Sequence, residues 1–158
     1  MPIDNMQKVQ AFLVAWYVAV AFTLALGGIY SAYRSATLRR EPADRSRWSD
    51  FYLVTLGRTT RRGLWLGFIA PFLLIITVVF VAWESPFEIP QATFALIGAS
   101  VWPAIAVGAK RCHDRAKSGW FMLIFAIPVL ALWPLIELGL LRGTVGPNRY
   151  GPDPLISN

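Results

Sequence analysis

The sequence predicts an all-α fold: a polytopic α-helical membrane protein with four transmembrane helices and an interfacial helix before the second. Three observations predict it. The chain is 56% hydrophobic with a mean hydropathy of +0.50, against roughly 45–50% apolar residues in soluble domains. Its apolar residues gather in four runs of about 20 residues, the length at which a helix crosses ~30 Å of hydrocarbon. The charge, +6 from 15 Lys and Arg against 9 Asp and Glu, collects between those runs. At 158 residues the chain makes one compact unit rather than two ordinary domains.

The first run, Ala11–Tyr30, holds no charged residue. It is longer than a signal peptide's apolar core, so it is expected to stay as a span. Gly27 and Gly28 near its end offer another helix a close approach. An Arg-rich segment follows, with Arg34, Arg39, Arg40, Arg45, Arg47, Arg58, Arg61 and Arg62 set against Glu41, Asp44 and Asp50. Glu41-Pro42 is expected to stop the helix, because proline disfavours helical geometry in the residue before it. The stretch Ser49–Gly57 is amphipathic and suits the membrane interface, with Ser49 or Asp50 as its cap.

The second run, Leu64–Trp83, contains Pro71, which predicts a kink that neighbouring groups must repair. Trp65 and Trp83 bracket it as interfacial aromatics do. The third run, Gln91–Ala109, is rich in Ala, Gly and Ser, and such faces pack closely in lipid, which places it at the centre of the bundle. The fourth, Trp120–Leu141, carries Pro128 and Pro134. Its length favours one full span, and a re-entrant hairpin turned by the prolines is the alternative. The Gly- and Pro-rich tail beyond it cannot be a regular helix.

The bases set the orientation. Loops 31–63 and 110–119 are basic, whereas the loop after run two holds Glu84 and Glu88 and no base. Basic loops stay in the cytoplasm, so both are expected there. A full fourth span then puts the tail outside, and a re-entrant one leaves Arg142 and Arg149 inside.

The segment Ala109–Trp120 packs Lys110, Arg111, Asp114, Arg115 and Lys117 around the chain's only histidine, His113, and only cysteine, Cys112. If helix continues through it, Asp114 lies beside Lys110, Arg111 and Lys117 and is expected to be ionised and paired. Ser118-Gly119 is expected to be the turn, Gly119 ending one helix and Ser118 capping the next, with Trp120 anchoring run four at the interface. One Cys and one His exclude an internal disulfide, a Cys/His zinc site and a haem held by two histidines. No Gly-rich loop follows a strand, and the bases lack an aromatic platform on a soluble fold. No cofactor, metal or nucleic-acid partner is therefore predicted.

Three stretches resemble the DUF805 family, small bacterial inner-membrane proteins. In "GRTTRRGLW" the residues Gly57, Arg58, Arg61 and Trp65 match the family's opening motif, while Gly63 stands at its acidic position and Leu64 at its first aromatic. "KRCHDRAKSGWF" matches the middle motif, with Phe121 in place of a second Trp. "GTVGPNRYGPDP", Gly143 to Pro154, matches the closing one. The resemblance implies a DUF805-like membrane domain over 51–158, preceded by an added span and Arg-rich segment over 1–50, in the bacterial inner membrane. It also implies that charged groups recurring near lipid have partners. The candidate set is Arg58, Arg61, Arg111, His113, Asp114, Arg115, Ser118, Trp120, Asn148, Arg149 and Asp153. Were the tail to return to the cytoplasmic side, Arg149 and Asp153 would close a network with Arg58 and Asp114.

Catalysis needs a second positioned group besides an acid–base residue; the nearby nucleophiles are Ser118 and Cys112 alone, and His113 does not orient on Asp114, because adjacent residues on one helix point about 100° apart. The expected function is therefore non-enzymatic: an accessory, assembly or interaction subunit that meets other membrane subunits and touches anionic lipid headgroups through its arginines. The alternatives are an oligomeric channel or transporter, in which Glu137 would be the ionisable group within a span, and a lipid-headgroup enzyme using His113 and Asp114.

Overall fold

The computed structural model describes residues 3–40, 48–83 and 96–156. The expected stop at Glu41-Pro42, the acidic loop and the start of run three lie outside these residues. Among the described residues there is helix and no strand, apart from an isolated antiparallel bridge between Asn148 and Gly151.

Helix α1, Ile3–Arg40, has 38 residues, about 57 Å at 1.5 Å each. That exceeds the hydrocarbon thickness, so the helix carries its charged end beyond the apolar stretch. Its apolar side chains point outward: Tyr17, Val18, Phe22 and Ile29 are all more than half exposed. In water such a surface would drive association, and lipid is its natural solvent. Helix α2, Trp48–Leu53, lies against α1 and is half-buried. Neither expected cap acts as one. Ser49 Oγ lies 3.2 Å from Tyr30 Oη, and the buried Asp50 carboxylate takes two bonds from the Arg34 guanidinium, at 3.0 and 3.1 Å. A buried carboxylate gains more from a facing guanidinium than from one backbone N–H.

The second run is one helical column: α3 Arg61–Leu64, a π-helical segment Trp65–Ile69, and α4 Ala70–Trp83. Thr60 caps its start, its hydroxyl accepting from Gly63 N at 3.0 Å. Pro71 has no N–H to give the Gly67 carbonyl four residues back. Tyr52 Oη, from the end of α2, donates to that oxygen at 2.9 Å. The wide π turns sit directly before the proline, a usual place for the helix to absorb it.

Helix α5, Val101–Asp114, packs against α1, α2, α3, the π segment and both pieces of run four. Ala106, Val107 and Cys112 are wholly buried in it. Its approach to α1 needs Gly27, where a Cβ would fall 2.2 Å from the Trp102 ring. Trp102 Nε1 then donates to Leu53 O at 2.9 Å, and Lys110 Nζ reaches Asp50 O and Phe51 O. Three of the last four carbonyls of α2, which no helical N–H can reach, are satisfied by α5.

Gly119 does not end α5. The left-handed residue is Ala116, φ 57°. Lys117 N bonds Cys112 O at 2.8 Å and Ala116 N bonds His113 O at 3.0 Å, the paired bonds of a Schellman turn. Ser118 stands at the start of the next helix, with no capping bond from its hydroxyl.

Run four is not the single helix favoured by its length. A 3-10 helix, Gly119–Ala126, is followed by turns through Pro128 and then by α6, Leu132–Gly139. With 8 residues each, they reach about 16 and 12 Å, too short to cross. Both ends meet the end of α5: a Cβ on Gly119 would lie 3.2 Å from that of Ala109, and Leu138 O accepts from Arg111 Nε at 2.6 Å. The run leaves this end of the bundle and comes back to it. The physical reason is proline: Pro128 cannot continue the helix that precedes it.

Candidate functional site

The end of α5 offers a carboxylate that must be neutralised. Asp114 is 3% exposed. Arg58, which follows the left-handed Gly57 (φ 97°), brings Nε and Nη2 to Asp114 Oδ1 at 3.1 and 3.0 Å. Arg111, one helical turn before it, closes on Oδ2 through Nη1. A lone buried carboxylate is costly, and two guanidinium groups remove that cost only if they are bonded in turn. Every nitrogen of both has a partner. Arg58 also donates to Thr144 O at 2.6 Å and Gly146 O at 2.7 Å, and Arg111 donates to Leu138 O and Leu141 O. No buried side-chain nitrogen or oxygen among the described residues lacks a partner.

The tail folds onto this centre. Thr144 N and Oγ1 bond Asp114 O at 2.8 and 3.0 Å, and Asn148 Nδ2 bonds His113 O at 2.9 Å. A Cβ on Gly143 would strike the Asp114 carboxylate at 1.9 Å, so only glycine lets the chain pass there. His113 stacks on Tyr150, centroids 3.9 Å apart and planes 8° from parallel, and its Nδ1–H donates to Gly57 O at 3.1 Å. Burial lowers the His113 pKa from its ordinary value, the Gly57 carbonyl opposes that, and the charges of Arg149 and Lys110 add to it. Burial also pushes the Cys112 thiol up to about 12.

The structure thus brings Arg58, Arg111, His113, Asp114 and Asn148 into one cluster. Arg61 and Arg115 flank it: Arg61 Nη1 donates to Leu140 O at 3.1 Å, and Arg115 grips Glu137 Oε1 at 2.7 and 3.0 Å. Lys117 lies 3.7 Å from the same Glu137 oxygen rather than on Asp114. Two tail residues take other roles. Asp153 accepts from Gly146 N and Leu155 N, both at 2.9 Å, and those backbone bonds lower its pKa. Arg149 sits over the Tyr150 ring, 4.7 Å from its centroid. Carbonyls of Thr144 and Gly146 fill the place expected for their charges. Ser118 and Trp120 are exposed outside the cluster. Sequence reasoning missed the pairs Arg34–Asp50 and Arg115–Glu137. The second carried a signal, since an acid within an apolar run requires a base.

No group of three His, Cys, Asp or Glu suited to a metal occurs among the described residues. An open cavity of about 350 Å³ lies beside the cluster, walled by Arg61, Arg62, Arg111 and Arg142 with Asp114 and Asp153.

Fold and site define a helical membrane protein whose charged end is sealed by its own tail. Two of its helices, Val9–Leu38 and Arg61–Val78, are long and apolar enough to cross a bilayer. The chain belongs to the DUF805 family, described as proteins of unknown function, whose pattern it matches over residues 52–152. It is 33% identical to the uncharacterized protein YiiR of Escherichia coli, over 61% of this chain and 83% of that one. It is 32% identical to the inner membrane protein YhaH of Escherichia coli, over 66% of this chain and 96% of that one. The inner membrane protein YhaI of Escherichia coli is 27% identical over 65% and 87%. No solved structure matches the chain. The protein resides in the bacterial inner membrane.

Proposed function

We propose that the chain is a non-catalytic accessory or assembly subunit of an inner-membrane complex, lying with its arginine-rich face against anionic headgroups. Runs one to three cross the bilayer, run four dips in and returns, and residues 31–63 and 110–119 face the cytoplasm with the tail. One observation carries the reading: the charged motif residues spend themselves on each other and on main-chain carbonyls. Asp114 is closed in by Arg58 and Arg111, and the His113 ring by Gly57 O and Tyr150. Such a centre fixes the tail and the re-entrant run in place, as a scaffold requires. The outward apolar faces of α1 and α4 remain for lipid and for neighbouring helices.

Purification in lipid nanodiscs after mild cross-linking tests this. A defined larger complex, lost when the chain is truncated before α2, is the expected result. A chain that always elutes alone as a monomer would count against it. In parallel, His113→Ala should leave membrane lipid composition unchanged; an altered profile would favour lipid chemistry.

A further inference from the structure

The cavity beside the cluster has a second chamber below it. This one, about 420 Å³, is walled by Trp65, Leu66, Gly139 and Leu140, and it shares Arg61 and Arg62 with the first. The two chambers differ in chemistry. The upper sets four arginines against two carboxylates. Both carboxylates are already bonded, Asp114 to Arg58 and Arg111, Asp153 to the amides of Gly146 and Leu155. Arg111 is locked by Leu138 O and Arg61 by Leu140 O. The guanidinium of Arg62 makes no hydrogen bond or ion pair among the described residues, that of Arg142 meets only the charge of Asp153, and both side chains are exposed. The upper chamber therefore has net positive charge and unspent donors. The lower is apolar and open sideways: Leu66 is 72% and Leu140 58% exposed. Trp65 Nε1 holds its wall, donating to Gly139 O at 2.9 Å. Arg61 and Arg62 stand at the start of the second run, where headgroups begin, Arg142 comes just after the fourth, and Trp65 and Leu66 lie one turn deeper.

We propose that the two chambers form one site for an anionic glycerophospholipid, its phosphate among Arg61, Arg62 and Arg142 and one acyl chain along Trp65, Leu66 and Leu140. This deepens the reading of a membrane protein resting on anionic headgroups, and depends on it. Guanidinium forks suit phosphate oxygens. A basic pocket between helices on the cytoplasmic side is where anionic lipid headgroups bind. An anionic lipid is favoured over a zwitterionic one because a choline cation would sit beside a surplus of arginine charge. A free anion would use only the upper chamber.

The test is native mass spectrometry of the full, delipidated chain titrated with phosphatidylglycerol, phosphatidylcholine and inorganic phosphate. Phosphatidylglycerol should bind about tenfold tighter than phosphatidylcholine. Arg62→Gln and Arg142→Gln should each weaken it about tenfold, the loss of one charge-assisted bond. Leu66→Asn should weaken the lipid and leave phosphate binding as it was. All three side chains are exposed, so equal unfolding midpoints are expected for the variants. Equal affinity for the two lipids, or insensitivity to both arginine variants, overturns the site. Phosphate binding as tightly as phosphatidylglycerol, with Leu66→Asn silent, makes it a free-anion site and overturns the lipid. Alkaline extraction separates the two failures. A chain that stays in the membrane without lipid preference loses only this site, and a chain released by carbonate loses the membrane reading as well.

Discussion

Asp114 shows how one residue sets the fate of many. Its carboxylate is shared by Arg58 from the loop before α3 and by Arg111 from its own helix. Replacing it with Asn leaves two buried guanidinium charges facing a neutral amide. Asp114→Asn should cost about 3–5 kcal/mol, read as a lowered unfolding midpoint in micelles with release of the tail to protease. A loss below ~1 kcal/mol would mean that the charges reach water in the folded protein. Ala116 makes the opposite case. It holds φ 57° at the end of α5, where glycine carries no steric cost. Ala116→Gly should stabilise by up to about 1 kcal/mol, the relief of left-handed strain less the added chain entropy; a lowered midpoint would show that the turn is unstrained. The sequence alone pointed to Gly119 for this place. Glycine is the usual choice there, but which residue takes the left-handed turn depends on where the helix bonds run out, and spacing does not record that.

Elements meet through repaired defects. Pro71 removes an N–H, and Tyr52 Oη supplies the missing donor to Gly67 O. Tyr52→Phe should cost about 1–3 kcal/mol by leaving that carbonyl unsatisfied near lipid. The same change should cost less in a Pro71→Ala background, where a backbone N–H is restored; a double-mutant cycle of unfolding free energies measures the difference. The proline and its need for a partner were legible in the sequence. The partner was not, because Tyr52 reaches it only once α2 folds back. Between α5 and the tail one contact is the His113–Tyr150 stack. Burial lowers the His113 pKa below its ordinary 6.5. The unfolded chain therefore takes up a proton near 6.5 that the folded chain resists, and stability is complete above that pH and falls as pH drops below it. Melting temperatures from about pH 7 to pH 5 should decline, and His113→Gln should flatten that decline over the same range. A parallel slope in the variant would assign the effect to another group.

For the whole molecule, the open matter in the sequence was the side of the tail. Charge counting and span length favoured a full fourth span with the tail outside, against the motif argument, since both describe runs as isolated cylinders. They missed that run four is two short pieces, because the 3-10 turns after Gly119 and the break at Pro128 depend on packing against α5, where Gly108 admits Met122. The closing motif told more. Its Thr144, Gly146 and Asn148 make sense only beside Asp114 and His113, and the hydrogen bonds place them there. Every donor that Arg58 and Arg111 send to the tail and to α6 is a length of chain that cannot sit across a bilayer from α5. Thiol labelling in intact and opened cells tests this consequence. In a Cys112→Ser background, Ser118→Cys marks the turn after α5 and Ile156→Cys marks the exposed tail. Both should react with an impermeant maleimide only after the inner membrane is opened. If Ile156→Cys reacts in intact spheroplasts while Ser118→Cys stays silent, run four crosses the bilayer. The Arg58–Thr144 and Arg58–Gly146 bonds would then be absent from the membrane form, and the sealed cluster with them.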